Sequence, residues 1–354
     1  MVSWFATPLL MTICTPVALA QAAEAPVRTV RGHFELAPLL TTGLVAPDSA
    51  VRARSAFLLG QIGSRRSATA IAPLLCDPSR AVRYQAGIAL CNLRDARGLA
   101  AAGAALASAA EWIRYYAVHA LAGLASEDAR RALASQRRGQ PQLISEQVDE
   151  ALKAWPWPSV PPEKATRALG PYQNLSDLFI DAGGIFVVES DGYWHRGVYP
   201  QCVRCNETTT FLDPAYVDMY SNSAWLLWSM GQHDRSLSVL WQGVNANLRS
   251  WEAWYNLGYQ HVLMHEYPRA VRPLKRSVEL GAPAVNYHQY CHALEKAGHP
   301  DLALKEWQTL LKAFPGDGVA LRQIDRLERV LRGEGPPQNG GTGGESARRP
   351  TPAC

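Results

Sequence analysis

Beyond residue 20 the chain has no run approaching the roughly 20 consecutive apolar residues of a membrane-spanning helix, which excludes a helical span from that part. Signatures of nucleophiles and nucleotide sites are missing as well. There is no G-x-S-x-G, no G-x-x-x-x-G-K-[ST] and no G-x-G-x-x-G. An elbow serine, a phosphate cradle and a dinucleotide turn therefore have no local sequence to form from. A strong excess of either charge is also lacking. Against 35 Lys and Arg stand 31 Asp and Glu, a formal net charge of +4 over 354 residues. A dedicated nucleic-acid binder would carry a denser basic footprint. What is present is ordinary for a folded protein: 47% apolar and 19% charged residues, so global disorder is excluded.

Residues 1–20 contain no charged side chain and close on Ala18-Leu19-Ala20. An apolar run ending in small-x-small reads as a secretory leader cleaved near Ala20, which implies a periplasmic or secreted protein. An uncleaved anchor is the competing reading. Cys14 follows Met11-Thr12-Ile13, which lacks the small residue that precedes a lipid-modified cysteine. Removal of the leader leaves Cys76, Cys91, Cys202, Cys205, Cys291 and Cys354. An even number permits disulfides without demanding them.

Four segments of the first half repeat at a spacing of 31, starting at Val51, Val82, Ile113 and Ile144. Leu59, Leu90, Leu121 and Leu152 share one offset, with Ile62, Leu93, Leu124 and Trp155 three later and Ser55, Ala86 and Ala117 four earlier. That is one face of a helix. Such a helix with its partner cannot bury its stripe alone, whereas a stack can. At these residues the stretch resembles HEAT repeats, in particular the short variety named after phycobilin lyases. Asp77 and Arg83 match that family's turn Asp and helix Arg. Arg52 and Arg114 keep the Arg, while Ala46 and Ser108 replace the Asp. An Arg ladder linking neighbouring repeats is the expected use of Arg52, Arg83 and Arg114. Arg dominates this half, where Lys153 is the only lysine between residues 21 and 155.

Five prolines between residues 155 and 173 exclude a continuous helix and mark a linker. Beyond them, Phe186, Tyr220, Trp254 and Tyr287 stand 34, 34 and 33 apart. Small residues follow four later (Ser190, Ala224, Gly258, Cys291) and sixteen later (Cys202, Ser236, Ala270, Ala303). This large-small-small code resembles the tetratricopeptide repeat (TPR). The first copy is the poorest, because the run Gly183–Gly192 is glycine-rich and β-branched for a helix. Residues 318–332 read as a cap helix, and the Gly- and Pro-rich tail from Gly333 as disordered.

The expected fold class is therefore all-α: an α-solenoid of two repeat arms joined by a Pro-rich linker. The expected boundaries are a leader at 1–20, a HEAT-like domain at 28–155, the linker at 156–182, a TPR-like domain at 183–332 and the tail at 333–354.

Candidate chemistry is sparse. Cys202-Val-Arg-Cys205 could be a redox pair or half a zinc site, but Cys202 falls on the small position of the repeat, where packing selects a buried cysteine. His261 and His265 are four apart on one helix, and His288 and His292 on another. A zinc site needs three or four ligands, and HVLMHE lacks the Glu of H-E-x-x-H. No metal and no cofactor is expected. The tryptophans Trp225, Trp228, Trp241, Trp251 and Trp254 fit core packing, with Trp225 and Trp228 as exceptions.

The resemblance to TPR implies a concave groove lined by the first helix of each pair. Its inner positions would be Asp218, Ser221, Asn222 and Trp225, then Glu252, Tyr255, Asn256 and Tyr259, then His288, Gln289 and His292. Family members use an Asn at the place of Asn222 and Asn256 to hydrogen-bond the backbone of an extended peptide. The Lys/Arg clamp for a terminal carboxylate is absent from the matching positions. The expected function is a non-catalytic scaffold gripping a protein or extended peptide, with no nucleic acid and no membrane insertion beyond the leader. The likeness to bilin lyases offers an enzymatic alternative, and the histidine pairs with Cys291 offer a metal-responsive adaptor.

Overall fold

The computed structural model describes residues 30–155 and 169–334. The expected leader, residues 156–168 of the Pro-rich linker, and the tail from residue 335 with Cys354 lie outside the described residues.

Every described element is helical, and no strand occurs among the described residues. In the first half, short helices α1 (Ala37–Gly43), α3 (Ala68–Ile71), α5 (Leu99–Ala105) and α7 (Glu127–Ser135) alternate with longer ones. The longer set is α2 (Ser49–Ile62), α4 (Arg80–Asn92), α6 (Glu111–Leu124) and α8 (Gln142–Lys153). Their starts fall 31 apart, so the period read from sequence is the period of the stack. Leu59, Leu90 and Leu121 are fully buried, as are Ser55, Ala86 and Ala117. The small residues let consecutive helices approach closely. At Gly60, an added Cβ would stand 2.5 Å from the Ala89 backbone.

The helix ends repeat too. Gly32, Gly63, Arg94 and Ala125, each 31 apart, all take a left-handed backbone, with φ of 86°, 85°, 60° and 55°. After α4 this gives the Schellman pattern: the Arg94 N–H donates to the Cys91 carbonyl and the Asp95 N–H to the Leu90 carbonyl.

The expected Arg ladder is present as a set of clasps. Arg52 donates to the carbonyls of Ala46 and Pro47 in its own turn, and to both carboxylate oxygens of Asp77 at 2.7 and 3.1 Å. Asp77 belongs to the next repeat. Arg83 donates to the carbonyls of Asp77 and Pro78. Arg114 donates to the Ser108 carbonyl and reaches Gln140 one repeat on. Its bidentate fork lets Arg close a turn and bridge to a neighbour at once.

The second half continues with α9 (Leu175–Trp194), α10 (Tyr199–Leu212), α11 (Val217–Ser229) and α12 (His233–Ala246). Then follow α13 (Trp251–Leu263), α14 (Tyr267–Glu279), α15 (Ala284–Lys296), α16 (Pro300–Ala313) and α17 (Gly318–Leu331). The small positions Cys202, Ser236, Ala270 and Ala303 are all buried. Two expectations are altered. The glycine-rich run at 183–192 is inside α9, and α9 starts at Leu175, within the stretch assigned to the linker. Burial of Leu178, Phe179, Ala182, Ile185 and Phe186 outweighs the weak intrinsic propensity of that run.

Compact packing divides the described residues between Ala246 and Asn247, downstream of the proline-rich stretch expected to separate two arms. The reason is a shared core. Phe57 of α2 touches Trp112 and Tyr116 of α6, Phe186 of α9 and Phe211 of α10, with ring centroids 5.1–6.3 Å apart. The second unit, from Asn247, has its own core of Tyr255, Leu274, Tyr287, Tyr290, Leu294 and Trp307 among others.

Candidate functional site

Helix α11 buries Met219, Tyr220, Ser223, Ala224, Leu226 and Leu227. The helical period then leaves Asp218, Ser221, Asn222 and Trp225 on the other face, at i, i+3, i+4 and i+7. Asp218 is exposed, and its carbonyl accepts a 2.9 Å hydrogen bond from the Ser221 hydroxyl. Asn222 is half-buried, and its carboxamide has no hydrogen-bond partner among the described residues. Trp225 is 40% exposed. Its ring lies 5.7 Å from that of Trp194 at the end of α9, and Trp194 lies 5.5 Å from Tyr199 at the start of α10. Three large rings thus meet at the surface, each 38–40% exposed.

Sequence reasoning singled out Trp225 and missed Trp194 and Tyr199. They fall outside the repeat's aromatic offset, in the poorest copy. Their only signal was position, since they flank the turn between the two helices of that copy.

A second omission lies beneath. Arg204, between the two cysteines of C-x-x-C, is 4% exposed. It donates to Gln201 at 2.7 Å, to the Tyr116 hydroxyl at 2.9 Å, to Glu189 at 2.7 Å and to the Cys205 sulfur at 3.1 Å. Its guanidinium also sits 4.8 Å from the Tyr115 ring centre and 5.6 Å from that of Tyr193, within the range of cation–π attraction. Burial works against its charge, but Tyr116, Cys205 and Glu189 together hold it firmly protonated. Nearby, Arg235 of α12 clasps Glu111 at 2.5 Å and Glu207 at 3.0 Å. Burial raises the Glu207 carboxyl, and Arg235 works against that rise.

The cysteines of C-x-x-C are free and buried. Cys202 donates to the Ser190 carbonyl at 3.4 Å. Burial pushes both thiols up, Cys205 the further, so neither is poised as a thiolate nucleophile.

In the second unit, α13 carries Glu252, Tyr255, Asn256 and Tyr259. Glu252 accepts a 2.6 Å hydrogen bond from Ser250, whose hydroxyl also caps the helix through the Ala253 N–H. Tyr255 is not open as expected. It is 4% exposed, and its ring stacks on Tyr259 at 5.6 Å and 11°. Asn256 is half-buried and, like Asn222, lacks a hydrogen-bond partner among the described residues. On α15, Gln289 is half-buried. His288 bonds to Asp317 at 3.0 Å, and both His288 and His292 pack on the buried Trp307 ring, at 5.3 and 5.1 Å. His261 meets Glu266 at 2.8 Å, and His265 meets the Tyr267 hydroxyl at 3.0 Å. The histidine pairs are therefore divided among local partners. Among the described residues no group of three His, Cys, Asp or Glu could hold a metal ion. None of the described helices is long and apolar enough to cross a membrane.

Comparison with known proteins accords with the repeat in the first half. The HEAT-repeat family matches residues 35–122, about the span of α1–α6. No curated protein matches the chain. Among solved structures, MamA is 20% identical, with a TM-score of 0.35, over 45% of this chain and 84% of MamA. YrrB, described as a TPR protein with an unusual peptide-binding site, is 15% identical with a TM-score of 0.35, over 45% of this chain and 86% of its own. A MamA fragment from Desulfovibrio magneticus RS-1 is 14% identical with a TM-score of 0.35, over 43% of this chain and 86% of its own. Likenesses at this level carry no argument about the site. The chain is similar in sequence to HEAT repeats over a quarter of its length, and in form it is an all-α array of stacked helix pairs.

Proposed function

We propose that the protein is a non-catalytic scaffold that holds an extended segment of a partner protein against the exposed face of α11. The observation that carries this reading is the unpartnered Asn222 carboxamide, one turn from the exposed Trp225–Trp194–Tyr199 cluster. An Asn side chain offers both an N–H donor and a C=O acceptor, the complement of one peptide unit. Exposed aromatic rings supply rigid contact area at low entropic cost. Asn256 offers the same carboxamide in the second unit and would act there in the same way. Among the described residues the buried thiols are held protonated and the histidines have local partners, which favours a non-catalytic role. The charge-free leader fits a partner outside the cytoplasm.

A crosslinking pull-down from the native envelope fraction tests this reading. Wild type is compared with an Asn222→Ala/Trp225→Ala variant whose fold is checked by circular dichroism. A partner captured by wild type and lost by the variant supports the proposal. A partner captured equally by both removes the α11 face from the account.

A further inference from the structure

We infer a second interaction surface, on the turn edge of the first-half stack: a row of arginines that fits an extended acidic peptide segment. The row lies at two successive turns of the stack, and only Arg66 and Arg97 share an offset of the 31-residue period. The turn after α2 carries Arg65 and Arg66, and the turn after α4 carries Arg94 and Arg97. Arg65, Arg66 and Arg94 are exposed, and their side chains make no hydrogen bond or ion pair among the described residues. Acidic groups on this edge are already engaged. Asp95 takes Arg97 at 2.5 Å, and Glu35 takes His33 at 2.8 Å. At the next turn, after α6, Glu127 and Asp128 pair with Arg130 and Arg131. The uncompensated positive charge is therefore confined to the turns after α2 and α4.

Arg94 is the informative member. It occupies the left-handed position that closes each repeat, where Gly32 and Gly63 stand in the preceding copies. A non-glycine residue there is strained. At Gly63 an added Cβ meets nothing within 4 Å, so space does not select the residue at this offset. Ala125 takes the same backbone with no charge, so the position does not require an arginine. A strained, exposed, unpaired arginine that glycine could replace points to use outside the fold.

The spacing suits an extended chain. Packed helices lie about 8–10 Å apart, so successive turns present cations at about that interval. An extended peptide in the polyproline II form rises roughly 3.1 Å per residue with about three residues per turn, which brings acidic side chains three positions apart onto one face and into register with successive turns. The interval is at or beyond the ~8 Å Debye length at physiological salt, so the cations of each turn act nearly independently and their effect weakens as salt rises.

The test measures fluorescence anisotropy of a labelled all-glutamate decapeptide with the full chain, at low and at physiological salt. Wild type should bind, more weakly as salt rises. The triple variant Arg65→Gln/Arg66→Gln/Arg94→Gly should lose about tenfold in affinity, because exposed ion pairs each contribute only a few-fold. Arg94→Gly alone should weaken binding about twofold to threefold and raise Tm by about 2 °C as the strain is relieved. A residue kept for structure would instead lower Tm on replacement. The inference is overturned if wild type does not bind the decapeptide, or if the triple variant binds as wild type does. Tighter binding to phosphatidylserine vesicles or to a single-stranded oligonucleotide than to the peptide would also overturn it.

Discussion

The inner side of the HEAT-like stack and the outer stripe of α11 are built from the same kind of helix, yet they end in opposite states. Helices α2 and α6 send Phe57, Trp112 and Tyr116 into α9 and α10, where the rings are buried. Arg54 of α2 donates to the Phe211 carbonyl at 2.6 Å, and Arg204 of α10 reaches Tyr116 of α6. This surface of the stack is already occupied by the chain's own next helix pair. On α11 the stripe ends in an open carboxamide and open rings. A repeat stack exposes a binding face only where no further helix of the same chain has taken it.

The strongest way to break this comparison is at Arg204. Arg204→Ala removes the partner of Glu189 and of the Tyr116 hydroxyl. Loss of one member of a buried charged cluster costs about 3 kcal/mol or more, which urea unfolding of the first unit's transition would show. Arg204→Met, apolar and of similar length, should cost distinctly less, because it keeps the packing that Ala removes, while Glu189, partly exposed, can be rehydrated in either variant. Equal losses for the two variants would mean that the charge and its hydrogen bonds, absent from both, and not packing, join the helices.

Next in size is Gly258→Ala in the second unit. Its new Cβ would stand 2.5 Å from Leu274 Cγ and 3.0 Å from the Leu274 backbone nitrogen, an overpacking that costs about 1–3 kcal/mol. The expected result is a lower Tm for the second unit's transition with the exposed stripe of α11 intact.

Trp225→Ala sharpens the contrast from the other side. Truncating so exposed a ring should shift folding stability by only about 0.5 kcal/mol. As the anchor of an interface it should cost about 2 kcal/mol of binding, roughly 30-fold in affinity. A large loss of stability with unchanged affinity would make Trp225 a packing residue.

The smallest effect is a pH slope. Burial lowers His119 of α6 from 6.5 to about 4, against the support of its Gln147 hydrogen bond. The unfolded chain then binds an extra proton between these values, so stability is full above pH 6.5 and declines as pH falls towards 4. His119→Gln should flatten that decline. Below about pH 4 a further loss is expected from Asp77. The hydrogen bond from Arg52 holds its carboxyl below the usual value, so its contribution disappears as it protonates.

Much of this architecture was legible. The leucines at one offset and the small residues at another located every long helix of the first half, because a solenoid demands the same burial in every copy. The clasping role of Arg52, Arg83 and Arg114 followed from their shared offset. What could not be read was how the halves meet. Nothing local marks Phe57 and Phe211 as neighbours, since they stand far apart in sequence on different helix pairs. For the same reason Arg204 was hidden inside a cysteine motif that drew attention to the wrong atoms. Tyr255 was placed on the open face by its offset, whereas its ring lies flat against Tyr259 and is covered. Arg94 carried a readable signal: it replaces glycine at a position where two earlier copies have one.

The account rests on α11 being the open face, and a photo-crosslinking residue at Ser221 tests this most directly. Ser221 lies on that stripe between Asp218 and Trp225, and its hydroxyl bonds only to its own helix. Irradiation in cells of the native host, followed by mass spectrometry of the adduct, should yield one partner protein crosslinked through a single extended segment. The adduct should be lost when Trp225→Ala is introduced. An adduct that persists undiminished with Trp225→Ala, or no adduct at all, would contradict the assignment of binding to this face.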